Sequence, residues 1–234
     1  MVNPRTMCVP WADEQNGKMV NSSDLNKNKE NSALHDVPGA TKPGPMKHRE
    51  PGAGLDMSFV RRLPAGDSMM RDICDHCGLI SYDNPKIVVG SVVTFRNQFL
   101  LCRRAIEPRK GFWTLPAGFM ETGETVEEGA IREAREEANV TIRIRDLFAV
   151  YSIPRLSQVQ LMYRAEMVTP DYSPGVESLE VGLFDWDDIP WTELAFPSVY
   201  WALTQFQEVT DCAVFAPFGN RDGDWGLSFQ VKRP

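Results

Sequence analysis

The chain of 234 residues has no run of about 18 consecutive apolar residues, the length a membrane-crossing helix needs, so no span is expected. Basic residues are in the minority: 25 Lys and Arg face 32 Asp and Glu, a formal net charge of -7. Broad binding to nucleic acid relies on basic surface that releases counterions, so a nucleic-acid partner is not expected. Histidine is scarce, with three residues at positions 35, 48 and 76. Two fall in a polar N-terminal stretch and the third beside cysteines, which disfavours acyl transfer through a Ser-His-Asp relay. Cysteine is confined to positions 8, 74, 77, 102 and 212, an odd count that forms no even disulfide framework and suits a reducing compartment. The sequons at Asn21 and Asn139 matter only in a secreted protein. No charged-then-apolar leader opens the chain, and early acids such as Asp13, Glu14 and Asp24 do not suit a transit peptide. A cytoplasmic protein is the expectation, with no organelle address legible.

What is present is unevenly spread. Residues 1–56 are rich in Asn, Lys, Glu, Gly and Pro, with large apolar residues only singly placed. Such a stretch buries too little apolar surface to offset its ordering entropy, so a disordered tail is expected there. Patterned sequence begins at Met57, an alternative start. Residues 57–84 read as a small ribbon-like segment, 85–215 as the main domain and 216–234 as a C-terminal tail.

Within the main domain, KIVVGSVVTF at 86–95 and QFLLCR at 98–103 are rich in β-formers and separated by Arg96 and Asn97, which reads as a hairpin. A short apolar strand and loop follow at 112–118. Residues 125–138 carry strong helix formers without Pro, with Val126, Ala130, Ala134 and Ala138 recurring every four residues. Strands are expected at 142–153, 158–168 and 181–186, and a closing helix with Pro at its first turn at 197–209. Interleaved strands and helices predict an α/β sandwich with a mixed sheet.

Glu133, Glu136 and Glu137 lie at i, i+3 and i+4 of the first helix, so their carboxylates share one face. Crowded like charges ask for a compensating cation, and hard oxygen donors suit magnesium or manganese. A bare acidic helix is more often a solvated face, here paired with Arg132 and Arg135. The surroundings reverse that balance. GFMETGE at 118–124, seven residues, and then REAREEANV at 132–140 closely resemble the box of the Nudix hydrolase family. The match spans twenty-three residues and departs at one fixed position, Asn139, where the box has Gly. Asn is the ordinary residue that best tolerates the left-handed conformation of a helix C-terminus, so the departure is expected to be nearly harmless.

The resemblance implies an α/β/α sandwich whose divalent metals are held by Glu133, Glu136, Glu137 and the backbone carbonyl of Ala117. It assigns Arg132 to orienting the carboxylates and Glu124 to bracing the loop or an outer metal shell. A general base is implied on a downstream loop, at Glu177 or Glu180, with Glu180 slightly preferred because it adjoins the strand expected at 181–186. Arg103, Arg104 and Arg109 are candidates to hold substrate phosphates, beside the alternative of a solvated basic edge. Phe112, Trp113 or Tyr151 could stack on a base, although aromatic residues in strands are more often core.

Cys74 and Cys77, in CDHCG at 74–78, have the spacing of half a zinc ribbon, but a closed site needs four ligands and no second pair accompanies them. With this segment and LAFPS at 194–198, the chain resembles the subgroup carrying an N-terminal zinc ribbon, whose members act on ADP-ribose, NADH or FAD. The implied activity is metal-dependent hydrolysis of the pyrophosphate of an ADP-linked small molecule to AMP and a second monophosphate. Alternatives are a nucleoside triphosphate or RNA-cap pyrophosphohydrolase, or a nucleotide sensor without turnover. Many relatives are homodimers, and no interface is legible here.

Overall fold

The structure is a computed structural model and describes residues 58–221. The expected tail at 1–56, the alternative start at Met57 and residues beyond 221 lie outside the described residues. The chain divides after Asp83 into two compact units. No helix among the described residues is long and apolar enough to cross a membrane.

In the first unit β1 (Phe59–Arg62), β2 (Arg71–Cys74) and β3 (Ile80–Ser81) form an antiparallel sheet in that order. Asp67 fixes the turn between β1 and β2. Its carboxylate accepts the Ser68 and Met69 N–H groups at 2.7 and 3.0 Å and Arg71 Nε at 3.0 Å. The Cys74 to Gly78 turn links β2 to β3. Gly78, at φ 73°, donates its N–H to Cys74 O at 2.9 Å, and the Cys74 N–H bonds Leu79 O at 2.8 Å.

The second unit holds β4 (Lys86–Phe95), β5 (Gln98–Arg104), β6 (Trp113–Thr114), β7 (Ala117–Phe119), α1 (Val126–Ala138), β8 (Ile142–Ile153), β9 (Gln158–Met167), β10 (Ser178–Phe184) and α2 (Pro197–Glu208). The sheet runs β10-β5-β4-β9-β8, with β6 on β5 and β7 on β4. The pair β4 and β9 is parallel and the other named pairs are antiparallel, which gives the expected mixed sheet. Arg96 and Asn97 turn the expected hairpin at positive φ, 49° and 69°. β4 and β5 share only two register pairs before they part, leaving room for β7 beside β4.

Alternation along the strands sorts the core into two faces. Val92, Phe99 and Leu101 pack with Trp201, Leu203 and Phe206 of α2. Val93, Leu100 and Cys102 face the other way, towards Ala134 and Ala138 of α1. The small face of α1 lets the helix lie close to the sheet: Ala130, Ala134 and Ala138 are wholly buried. Thr125 starts that helix with a reciprocal capping box to Glu128, and Asn139 ends it at φ 52°, the left-handed conformation expected of it.

Three boundaries differ from the sequence expectation. The apolar strand at 112–118 breaks into β6 and β7 around Leu115 and Pro116, because Pro has no N–H for a ladder. β10 starts at Ser178 rather than 181, with a register shift between Ser178 and Glu180. At Phe218 and Asn220 the chain keeps to the sheet edge. Phe218 exchanges backbone hydrogen bonds with Phe148 and Val150, and the Asn220 side chain bonds both backbone groups of Ser152.

Candidate functional site

Arg132 is the hub of the acidic helix. Its guanidinium reaches four acceptors: Glu124 at 2.8 and 3.0 Å, Glu133 at 2.7 Å, Glu136 at 3.0 Å and the Phe119 carbonyl at 3.0 Å. Glu124 also accepts the Glu121 N–H at 2.7 Å. The Arg132 guanidinium, helped by that N–H, holds the Glu124 carboxyl down at about 2. One ion-pair network thus ties the loop before the helix to the helix itself.

Glu133 and Glu137 are buried, at 8% and 6% exposure. Glu137 accepts the Ala117 N–H at 3.2 Å. Burial pushes its carboxyl up to about 8; Glu133 and Glu177 add like charge, while the Ala117 N–H and Arg104 oppose the rise. Burial also raises Glu133, against the pull of Arg132. Gly118 makes this approach possible, because a Cβ there would run into the Glu133 carboxylate.

The carboxylates lie along a cleft of about 1370 Å³. Its walls come from α1, the strand end at Ala117 to Phe119, the 174–177 loop, the start of α2 and alternate residues Gln158, Gln160 and Met162 of β9. Arg104 lines it too, held by a 2.9 Å hydrogen bond to Pro108 O and lying 5.2 Å from the Phe196 ring.

Of the residues singled out from sequence, Arg104, Ala117, Arg132, Glu133, Glu136, Glu137 and Glu177 come together around this cleft. Arg103, Arg109 and Glu180 are not among its lining residues. Glu180, slightly preferred above, stands opposite Arg103 in the β10–β5 ladder and pairs with it at 3.5 Å. Arg103 also bonds Gly111 O at 2.9 Å, and Arg109 lies 4.7 Å from the Phe112 ring. Trp113 and Tyr151 are core, at 6% and 0% exposure. The sequence reading passed over Gln158, Gln160 and Phe196. Two amides at period 2 at the start of β9, alternating with Val159 and Leu161, were the available signal.

Three carboxylates and a backbone carbonyl form a hard oxygen set, and buried Glu137 has the Ala117 N–H as its hydrogen-bond partner rather than a cation. The set fits a divalent cation. Among the described residues no three acidic, thiol or imidazole groups already converge as ligands; Arg132 bonds Glu133 and Glu136, and Glu137 bonds the Ala117 N–H instead. Cys74 and Cys77 are not in a disulfide, and the Cys77 and His76 backbone N–H groups lower the Cys74 thiol. Two thiols without a second pair do not fit a closed tetrahedral zinc site.

A family model described as NUDIX domain matches residues 84–201. The chain belongs to the Nudix family. A second model, described as Nudix N-terminal, matches residues 57–83, the small three-stranded unit. This Nudix hydrolase is 33% identical over 119 residues to the ADP-ribose pyrophosphatase of Methanocaldococcus jannaschii, covering 49% of this chain and 69% of that protein. It is 32% identical over 123 residues to the NAD-capped RNA hydrolase NudC of Pseudomonas aeruginosa, covering 51% of this chain and 42% of NudC. The solved NUDIX hydrolase of Nitrosomonas europaea is 43% identical, with a TM-score of 0.67 over 72% of this chain and 97% of that one. Nudix hydrolases generally use divalent metals.

Proposed function

We propose that this Nudix hydrolase cleaves the pyrophosphate of an ADP-linked nucleoside diphosphate derivative, of the ADP-ribose, FAD or NADH type, to AMP and a second monophosphate. One observation carries the reading. The carboxylates of Glu133, Glu136, Glu137 and Glu177 share a single cleft of about 1370 Å³ with Arg104, Phe196 and two half-buried amides, Gln158 and Gln160. Ligand pockets usually measure about 300–1,000 Å³, so the space suits a molecule with a nucleoside on one side of its phosphates and a sugar or second nucleoside on the other.

Glu133, Glu136, Glu137 and the Ala117 carbonyl would hold magnesium or manganese. Bound there, it would neutralise pyrophosphate charge and make a ligated water more acidic. Arg132 keeps the carboxylates in place, and Arg104 pairs with phosphate oxygens. Glu177 takes the proton of the attacking water. The water oxygen bonds to one phosphorus, and the bridging oxygen leaves on the other phosphate with its electron pair. Phe196 gives an apolar surface for a base, and Gln158 and Gln160 offer donors and acceptors to its edge.

Initial rates of AMP release from ADP-ribose, FAD, NADH and ATP at equal concentration test the substrate class. An ADP-linked substrate is expected to lead by at least tenfold; a lead for ATP overturns the reading. The similarity to NudC supports a second substrate with the same anhydride, an RNA carrying NAD at its 5′ end. The acidic balance disfavours broad RNA binding but leaves a capped end able to enter the cleft. Comparing an NAD-capped oligonucleotide with free NADH distinguishes the two.

A further inference from the structure

Position 139 is where the chain departs from its box, with Asn in place of Gly. The backbone demand is met, since Asn139 sits at φ 52° and ψ 32°. Its side chain then does something a glycine cannot. Nδ2 donates to Ser173 O at 3.2 Å and to Pro174 O at 3.1 Å, both in the loop that leads to Glu177. The last carbonyls of the helix take part as well: Ala138 O accepts the Ser173 N–H and Glu137 O the Gly175 N–H, each at 3.0 Å. Those carbonyls have no partner within the helix, so the loop completes the helix end.

Four hydrogen bonds therefore dock residues 173–175 on the end of α1. The seat is close. A Cβ at Gly175 would overlap the Glu136 carbonyl, so the loop backbone lies directly on the turn that bears the metal-facing carboxylates. Two residues further on, Glu177 lines the same cleft as Glu133, Glu136 and Glu137.

We infer that Asn139 is a positioning residue: its carboxamide clamps the 173–175 loop to the end of α1 and so presents Glu177 to the carboxylate cluster. The inference rests on the role given to Glu177 above. Glycine at 139 supplies the left-handed turn but no donor, so the variant N139G separates the turn from the clamp. N139D keeps a residue that tolerates the same turn and also removes the donors.

Both variants are expected to melt within a few degrees of the parent, with kcat reduced about three- to tenfold and KM within twofold. The Ser173 and Gly175 amides are expected to exchange faster with solvent in both. In an E177Q background N139G is expected to cost nothing further, since the clamp has no carboxylate left to place. Full kcat in N139G beside an impaired E177Q overturns the clamp and leaves the base assignment standing, as do losses that simply multiply in the double variant. Full kcat in E177Q overturns the base assignment, and the clamp with it.

Discussion

Glu137 carries the sharpest conflict in the molecule, an acid buried among acids with one N–H for a partner. Its carboxyl titrates at about 8 in the fold against an ordinary 4.5, so the folded protein holds this proton more tightly than the unfolded chain. The associated stability is fully present below about pH 4.5 and is lost as pH rises through about 8. Thermal melts in chelator should therefore fall across that window, and fall less steeply in E137Q; equal slopes contradict the assignment. Arg132 acts on the same cluster from outside. Outer partners of metal ligands typically contribute about 10- to 100-fold to metal affinity or activity, so R132A should lose that much in magnesium titrations of turnover. The cluster was legible because fixed intervals on a helix dictate a shared face. Which of Glu177 and Glu180 lines the cleft was not, since it depends on Glu180 standing in β10 opposite Arg103 while Glu177 stays in the loop before it. Arg103 and Arg104 are neighbours on a strand, and alternation sends only Arg104 to the cleft; sequence shows the alternation but not its phase.

Two junctions of α1 decide whether the cluster is assembled. At the start, Thr125 and Glu128 satisfy each other's backbone N–H groups. T125A should lower unfolding free energy by about 1 kcal/mol in denaturant titrations. At the far end the loop seat leaves no room at Gly175. G175A should destabilise by about 1–3 kcal/mol and reduce turnover, because relief of the overlap moves the loop that carries Glu177. A G175A protein with native stability and full turnover would contradict the tight seat. Most elements were readable from periodicity and turn residues: the hairpin at Arg96 and Asn97, the alanine-faced helix and the Pro-started closing helix. The sheet order was not, because the parallel pairing of β4 with β9 joins strands separated by the whole Nudix box. The run of Phe218 and Asn220 along β8 was equally hidden, since backbone bonding to a sheet edge leaves little pattern in side chains.

At the scale of the whole molecule, the chain joins a small three-stranded unit matching the Nudix N-terminal model to a Nudix domain that holds the acidic cleft. The small unit keeps one pair of ribbon cysteines, while its opposite turn is held by the Asp67 and Arg71 ion pair. Elemental analysis of the purified protein should accordingly find well under one zinc per chain, and a stoichiometric zinc would contradict that reading. The function proposed for the main unit is that its buried carboxylates bind a divalent cation in order to cut an ADP-linked pyrophosphate. It is tested most directly by AMP release from ADP-ribose, FAD and NADH in magnesium, manganese or chelator, with E137Q alongside. Release is expected from at least one of these, abolished by chelator and lowered about a hundredfold or more in E137Q, with the fold of that variant intact. Tight nucleotide binding without turnover, or metal-dependent turnover undiminished in E137Q, would contradict it.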